Sequence, residues 1–244
     1  MRGLRKIEFG APVTFFVGEN GSGKSTLLEA LAVAAEAVAL GAADLETDPT
    51  LAAARTLAAN LTLSLGTPRP VTRLFVRAED VFGFVKRVSE EMHGLRELES
   101  GYLAEGPPPR GSGLERAVGS VAGQRGALAR RYGVDPDARS HGETFLAFLQ
   151  QRVVRRGLYF FDEPETPLSP TRVLALIAML RDAVAEGSQF VIATHSPILM
   201  ATPGADIRLF DGETIRTVAY DEVEHVRVTR DFLNAPERYL RHLE

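Results

Sequence analysis

A chain of 244 residues, 45% hydrophobic and 25% charged, has the composition of a globular domain large enough to carry an insertion. Its net charge of −4 excludes a generally basic, nucleic-acid-coating protein but leaves room for a local basic face. With no cysteine there is no disulfide, zinc knuckle or thiol chemistry, and no apolar run approaches the roughly 18 residues of a membrane span.

Met1-Arg2-Gly3-Leu4-Arg5-Lys6 carries charge with no apolar segment behind it, so a signal peptide is not expected and a cytoplasmic location is. Ile7-Glu8-Phe9 reads as a strand partner for the short buried strand Val13–Val17. Gly18-Glu19-Asn20-Gly21-Ser22-Gly23-Lys24-Ser25-Thr26 then matches the pattern G-x-x-x-x-G-K-[ST] without a gap. Phosphate oxygens need donors at short range, and glycines remove the Cβ atoms that would block approach, so successive backbone N–H groups form an anion-binding nest. Lys24, one of only three lysines, adds a point charge toward the β- and γ-phosphates of ATP, and the Ser25 hydroxyl suits Mg²⁺. Residues Glu19 to Thr26 are therefore the candidate nucleotide-binding set.

A helix is predicted over 26–40, stopped by Gly41, and another over Thr50–Ala59. Leu61–Leu65 alternates like a strand before Gly66 and Pro68, and Val71–Val76 is a clearer strand. Arg77-Ala78-Glu79-Asp80 leads into a helical pattern from about Val81 to Leu98. Gly101 to Arg110, with Pro107-Pro108-Pro109 ahead of Gly111-Ser112-Gly113, reads as a flexible or extended connection. Arg110, Arg116, Arg125, Arg130, Arg131 and Arg139 fit either a solvated helical face or a nucleic-acid or partner contact.

From residue 140 the pattern sharpens. Ser140-His141-Gly142-Glu143 opens a helix 143–156 and offers a hydroxyl, a glycine and a positive dipole end. Strand Leu158–Phe161 ends in Asp162-Glu163. Four apolar residues bury such a strand on both faces, and two acids emerge where it leaves the core, in the manner of a Walker B motif. Asp162 would hold Mg²⁺ through water while Glu163 polarises the attacking water. Ser169-Pro170 caps the next helix, Gln189–Thr194 is another buried strand, and His195 at its end stands where it could bond the γ-phosphate. Ile207–Phe210 and Thr214–Val218 flank Asp211-Gly212 as a hairpin, and Asn234 caps a last short helix. Strands alternating with helices, with motifs at strand C-termini, predict an α/β fold: a parallel-sheet core with an inserted, mostly helical subdomain at about 42–139 in a single domain spanning 1–244.

Together these motifs resemble the P-loop NTPases of the ATP-binding cassette class. Closer still is the resemblance to the small soluble AAA-type ATPases of the AAA_21 and AAA_23 kind, which have a cassette-like core. The matching pieces are residues 17–26, Arg-Ala-Glu (77–79), Ser-His-Gly-Glu (140–143), Phe-Asp-Glu-Pro-Glu (161–165) and Ala-Thr-His-Ser-Pro (193–197). The resemblance implies Mg²⁺-dependent ATP hydrolysis with Glu163 and His195 as catalytic residues. It also implies an ATP-dependent homodimer in which Ser140 and Gly142 of one subunit complete the other's site. Glu79 takes the place of the class's Q-loop glutamine, with a contact to Mg²⁺ or water. A protein partner, as yet unidentified, would be driven by the cycle. Cassette transporters usually carry Leu-Ser-Gly-Gly-Gln, so Ser-His-Gly-Glu counts against the alternative of a transporter's nucleotide-binding subunit. A DNA-associated ATPase resembling SMC and RecF-type proteins is the other alternative, though no heptad run between the motifs supplies coiled-coil arms.

Overall fold

The computed structural model describes residues 6–40, 45, 48–104, 106–132 and 141–241. Among them, seven strands form one sheet in the order β2-β3-β4-β5-β1-β6-β7. These are β1 (Val13–Gly18), β2 (Val38–Ala39), β3 (Thr72–Arg77), β4 (Gly157–Asp162), β5 (Gln189–Ala193), β6 (Asp206–Phe210) and β7 (Ile215–Val218). Every pairing is parallel except the β6–β7 hairpin. β1 and β4 are buried at every position, as expected of central strands covered by helices on both faces.

Because side chains alternate across a strand, the sheet sorts its apolar residues into two cores. Phe15, Tyr159, Phe161, Phe190 and Ile192 face one side, where α5 (His141–Arg152) and α6 (Pro170–Ala185) supply Phe145, Leu149, Leu176 and Leu180. Phe16, Phe75, Phe160 and Val191 face the other, against Leu27, Leu28 and Leu31 of α1 (Lys24–Ala34) and Ala54 of α2 (Ala52–Ala58). The C-terminal ends of β1, β4 and β5 consequently open on a single sheet edge. Phe16 pairs with Ala193, Ala193 with Asp162 and Asp162 with Arg77, which places the ends of β5, β4 and β3 in one row beside β1.

Several sequence expectations give way here. Helix α1 ends at Ala34, not 40, because Glu36 adopts the left-handed region (φ 52°). The amides of Ala37 and Glu36 then bond back to the carbonyls of Ala32 and Val33, a Schellman stop that is usually marked by glycine. The chain turns at once into β2. Ile7–Phe9 and Leu61–Leu65 are not strands. Leu61, Leu63 and Leu65 do alternate inward, packing on the second core without joining the sheet. Ser169 sits at the start of α6 but caps it through its backbone carbonyl, not its side chain. A short α7 (Pro197–Met200) follows β5, Asn234 is the last residue of an unforeseen helix, α8 (Glu224–Asn234), and Ala235 precedes α9 (Pro236–Leu240).

Helix α3 (Ala78–Leu103) runs further in both directions than predicted and packs along α4 (Gly113–Tyr132), with Arg125 Nε 2.9 Å from Glu99 Oε2. Within 42–139 the described residues thus contribute α2, α3 and α4, interrupted by β3, which belongs to the central sheet. No helix among the described residues is long and apolar enough to cross a membrane.

Candidate nucleotide site

The loop after β1 is shaped by its glycines. Gly21 (φ 78°) and Gly23 (φ 96°) both lie in the left-handed region, and Gly23 directly precedes the first turn of α1. The free N–H groups of that turn therefore face the loop, a ready anion site. Lys24 is buried, and its Nζ donates to the carbonyls of Gly18 and Glu19, both at 2.8 Å. Burial pushes the Lys24 ammonium below its ordinary range, while Glu163 and Asp162 oppose that shift. Ser22 Oγ is buried with no hydrogen-bond partner, a polar atom left for a ligand to satisfy. These donors fit a polyphosphate.

Asp162 closes β4 and meets the start of α1. Ser25 Oγ donates to Asp162 Oδ1 at 3.0 Å, and Arg77 Nε lies 3.8 Å from Asp162 Oδ2. Arg77 also pairs with Glu29 of α1. Burial raises the Asp162 carboxyl to about 6, against the Ser25 hydrogen bond and the Arg77 charge. A hydroxyl and a carboxylate in contact at the end of a phosphate loop are the oxygen donors that Mg²⁺ takes beside a nucleotide.

Glu163 follows with φ 46°, its N–H bonded to the Ala193 carbonyl at 2.9 Å. That twist turns its half-exposed side chain toward His195, whose Nε2 is 3.7 Å from Glu163 Oε1. The other ring nitrogen of His195, Nδ1, lies 3.2 Å from Nε2 of His225 in α8. Burial and the nearby Lys24 lower the His195 pKa, with Glu163 opposing. Glu165 anchors this corner: its Oε1 accepts from Thr194 Oγ1 (2.6 Å), the His195 amide (2.8 Å) and the Ser196 amide (3.1 Å). Two clefts meet here. One of about 440 Å³ runs from Gly18–Ser22 past Phe210–Gly212 to Val223–His225. The other, of about 480 Å³, is lined by Glu19, Asn20, Glu163, His195 and His225.

Two family profiles match this chain. One, described as an AAA domain, covers residues 2–39; the other, described as "AAA domain, putative AbiEii toxin, Type IV TA system", covers residues 144–201. Both matches are to AAA domains, and together they support an AAA-type P-loop ATPase. The first match contains the phosphate loop and α1, and the second contains Asp162 to Glu165 and Thr194-His195, so the parallel sheet brings the two matched segments together. No curated protein matches the chain.

Of the residues singled out from sequence, the fold gathers Glu19–Ser25, Asp162, Glu163 and His195 at one edge, with Thr26 continuing α1. Glu79 lies exposed in the first turn of α3, while its neighbour Arg77 is the side chain beside Asp162. Ser140 lies outside the described residues. Gly142 is buried in the first turn of α5, where a Cβ would come within 2.8 Å of the Pro167 carbonyl and 3.0 Å of Arg172. Close packing against the turn before α6 thus demands glycine without reference to a ligand. Arg77, Glu165 and His225 were not foreseen as site residues. Arg77 and Glu165 had a local signal, since both stand inside the motif pieces at 77–79 and 161–165, whereas His225 had none.

Proposed function

We propose that this AAA-type domain binds Mg-ATP and hydrolyses it, with ATP drawing two copies together face to face. The contact between Ser25 and Asp162 carries this reading, because it joins the phosphate loop to the acidic strand end at the distance of one hydrogen bond. Gly21, Ser22, Gly23, Lys24 and Thr26 would hold the phosphates by backbone N–H groups and the ammonium, and Ser25 with Asp162 would hold Mg²⁺. The ion, when bound, offsets charge on the phosphate oxygens. Glu163 is the base that orients a water, since its carboxylate reaches the cleft from a backbone twist that aims it there. His195 presents a ring nitrogen to the same cleft. Rate enhancement in such a site comes mainly from positioning and electrostatics.

Dimerisation is supported by the openness of the corner. The half-exposed Glu163 stands in a cleft that one copy leaves uncovered, and the cassette-like resemblance would bring the Ser-His-Gly-Glu stretch of a second copy over it. A cytoplasmic location and a driven protein partner belong to the same reading. Size in solution tests it: Glu163→Gln, measured by light scattering, is expected to shift from monomer to dimer on adding Mg-ATP, and Ser140→Arg to abolish the shift. Bound ATP with no shift would remove the clamp.

Arg110, Arg116 and Arg130 are exposed on the arm formed by α3, α4 and their connection, which favours DNA as a second reading of what the cycle acts on. Salt-sensitive duplex binding that is lost on replacing these arginines would support it.

A further inference from the structure

We infer that His225 fixes the tautomer of His195, so that His195 presents an N–H donor, rather than a lone pair, to the cleft shared with Glu163. The inference rests on the reading of that cleft as a nucleotide site. His195 is held on both sides of its ring: Nδ1 is 3.2 Å from His225 Nε2, and Nε2 is 3.7 Å from Glu163 Oε1. The two imidazoles meet edge to face, with centroids 5.0 Å apart and planes at 62°, which suits a bond between ring nitrogens rather than stacking.

A neutral imidazole has one ring hydrogen, and the bond made by one nitrogen decides the state of the other. Burial and the Lys24 charge both favour the neutral ring at His195. With the hydrogen on Nδ1, a lone pair on Nε2 would face the Glu163 carboxylate, lone pair against negative charge. With the hydrogen on Nε2, that N–H points toward Glu163 and the cleft, and the bare Nδ1 needs a donor. His225 Nε2–H is that donor. The arrangement that satisfies all three groups runs from His225 to His195 to the cleft. An N–H there can serve a phosphate oxygen; a lone pair would repel it.

His225 is positioned for this by packing. Val223 and Val226, on either side of it in the chain, are buried in the first core, which sets the rotation of α8. Tyr220 Oη donates to the Pro197 carbonyl at 3.0 Å, tying the approach to α8 to the turn two residues after His195. That turn is itself fixed by Glu165 and by Ser196, whose hydroxyl accepts from the Leu199 amide. His225 therefore acts on the site through His195, as a positioning residue.

Imidazole ¹⁵N shifts of the nucleotide-free protein test the claim without any turnover. At neutral pH the His195 nitrogens are expected to show the Nε2–H tautomer. In His225→Ala the two shifts should converge toward the average of a mixture, whereas His225→Gln, whose side-chain N–H reaches a similar point, should keep the wild-type pattern. Steady-state ATP hydrolysis gives the consequence: His225→Ala lowers kcat about tenfold with KM for ATP little changed, about the effect of one hydrogen bond in the transition state. His225→Gln stays near wild type. If alanine costs the protein its fold, the comparison is Gln against Asn, whose shorter amide should behave as the deletion. Unchanged His195 shifts without a donor at 225, or unchanged kcat, overturns the inference. A wild-type protein that binds ATP without hydrolysing it would instead sink the proposed function, and the nitrogen shifts would still decide the role of His225.

Discussion

Ser25 Oγ donates to Asp162 Oδ1 at 3.0 Å, joining two residues 137 positions apart and locking the first turn of α1 to the end of β4. That bond, together with Arg77, is what compensates a carboxylate held in the interior. Compensation is incomplete, since burial still raises the Asp162 carboxyl to about 6.

The sign of the resulting pH effect is fixed. A carboxyl whose folded pKa exceeds its unfolded value of about 3.9 stabilises the fold fully below about pH 4, and that contribution is lost as pH rises through about 6. The rise from about 4 to about 6 corresponds to about 3 kcal/mol. In the absence of nucleotide, Asp162→Asn should be as stable as wild type near pH 4 and more stable at pH 8, by up to that amount, while losing the strengthening of ATP binding by Mg²⁺. Denaturant melts at both pH values check this; an Asn variant that is less stable at pH 8 would show that Arg77 already pays the burial in full.

Lys24 satisfies two loop carbonyls as well as facing the phosphate site. Lys24→Ala removes a charge-assisted donor, about 2–3 kcal/mol, so ATP affinity should fall by about two orders of magnitude in equilibrium binding. An affinity within threefold of wild type would move the phosphates away from this loop.

Glu165 holds three donors with one oxygen, and Thr194 beneath it is fully buried. Its carboxyl is raised by burial, with those donors opposing. Glu165→Ala leaves the donors stranded and should cost about 3 kcal/mol of stability, and it should lower kcat because it frees the backbone that carries His195. Thermal melts and turnover should fall together; a stable variant with normal turnover would mean that the turn holds itself.

Gly142→Ala separates packing from ligand contact. An added Cβ within 2.8 Å of the Pro167 carbonyl must displace backbone, at about 1–3 kcal/mol, although alanine favours a helix. The expected result is a lower melting temperature in the monomer without ATP. An unchanged melt with weakened ATP-dependent association would assign the glycine to the clamp instead.

What the sequence made legible follows from range. The phosphate loop is nine consecutive residues with a fixed pattern, and the strands ending at Asp162 and Ala193 are unbroken apolar runs, so both could be read locally. The stop of α1 at Glu36 could not, because a left-handed glutamate carries no mark in the sequence and is forced by the turn into β2. Leu61–Leu65 has the period of a strand but packs its leucines on the second core outside the sheet, and so keeps its alternation without pairing. Helix α8 buries only Val226 of its own residues, so its sequence does not tell what it packs against. His225 sits in that helix, and only the folded sheet brings it 3.2 Å from His195.

Phosphate release at saturating Mg-ATP, measured for the wild-type chain and for Glu163→Gln alongside ATP binding to each, tests the central claim most directly. The expected result is slow turnover in the wild type, a loss of at least about a hundredfold in the variant, the usual range for removing a general base, and undiminished ATP binding by both. Equal phosphate release from the two proteins would contradict Glu163 as the base, and no Mg-dependent ATP binding by either would contradict the nucleotide site itself.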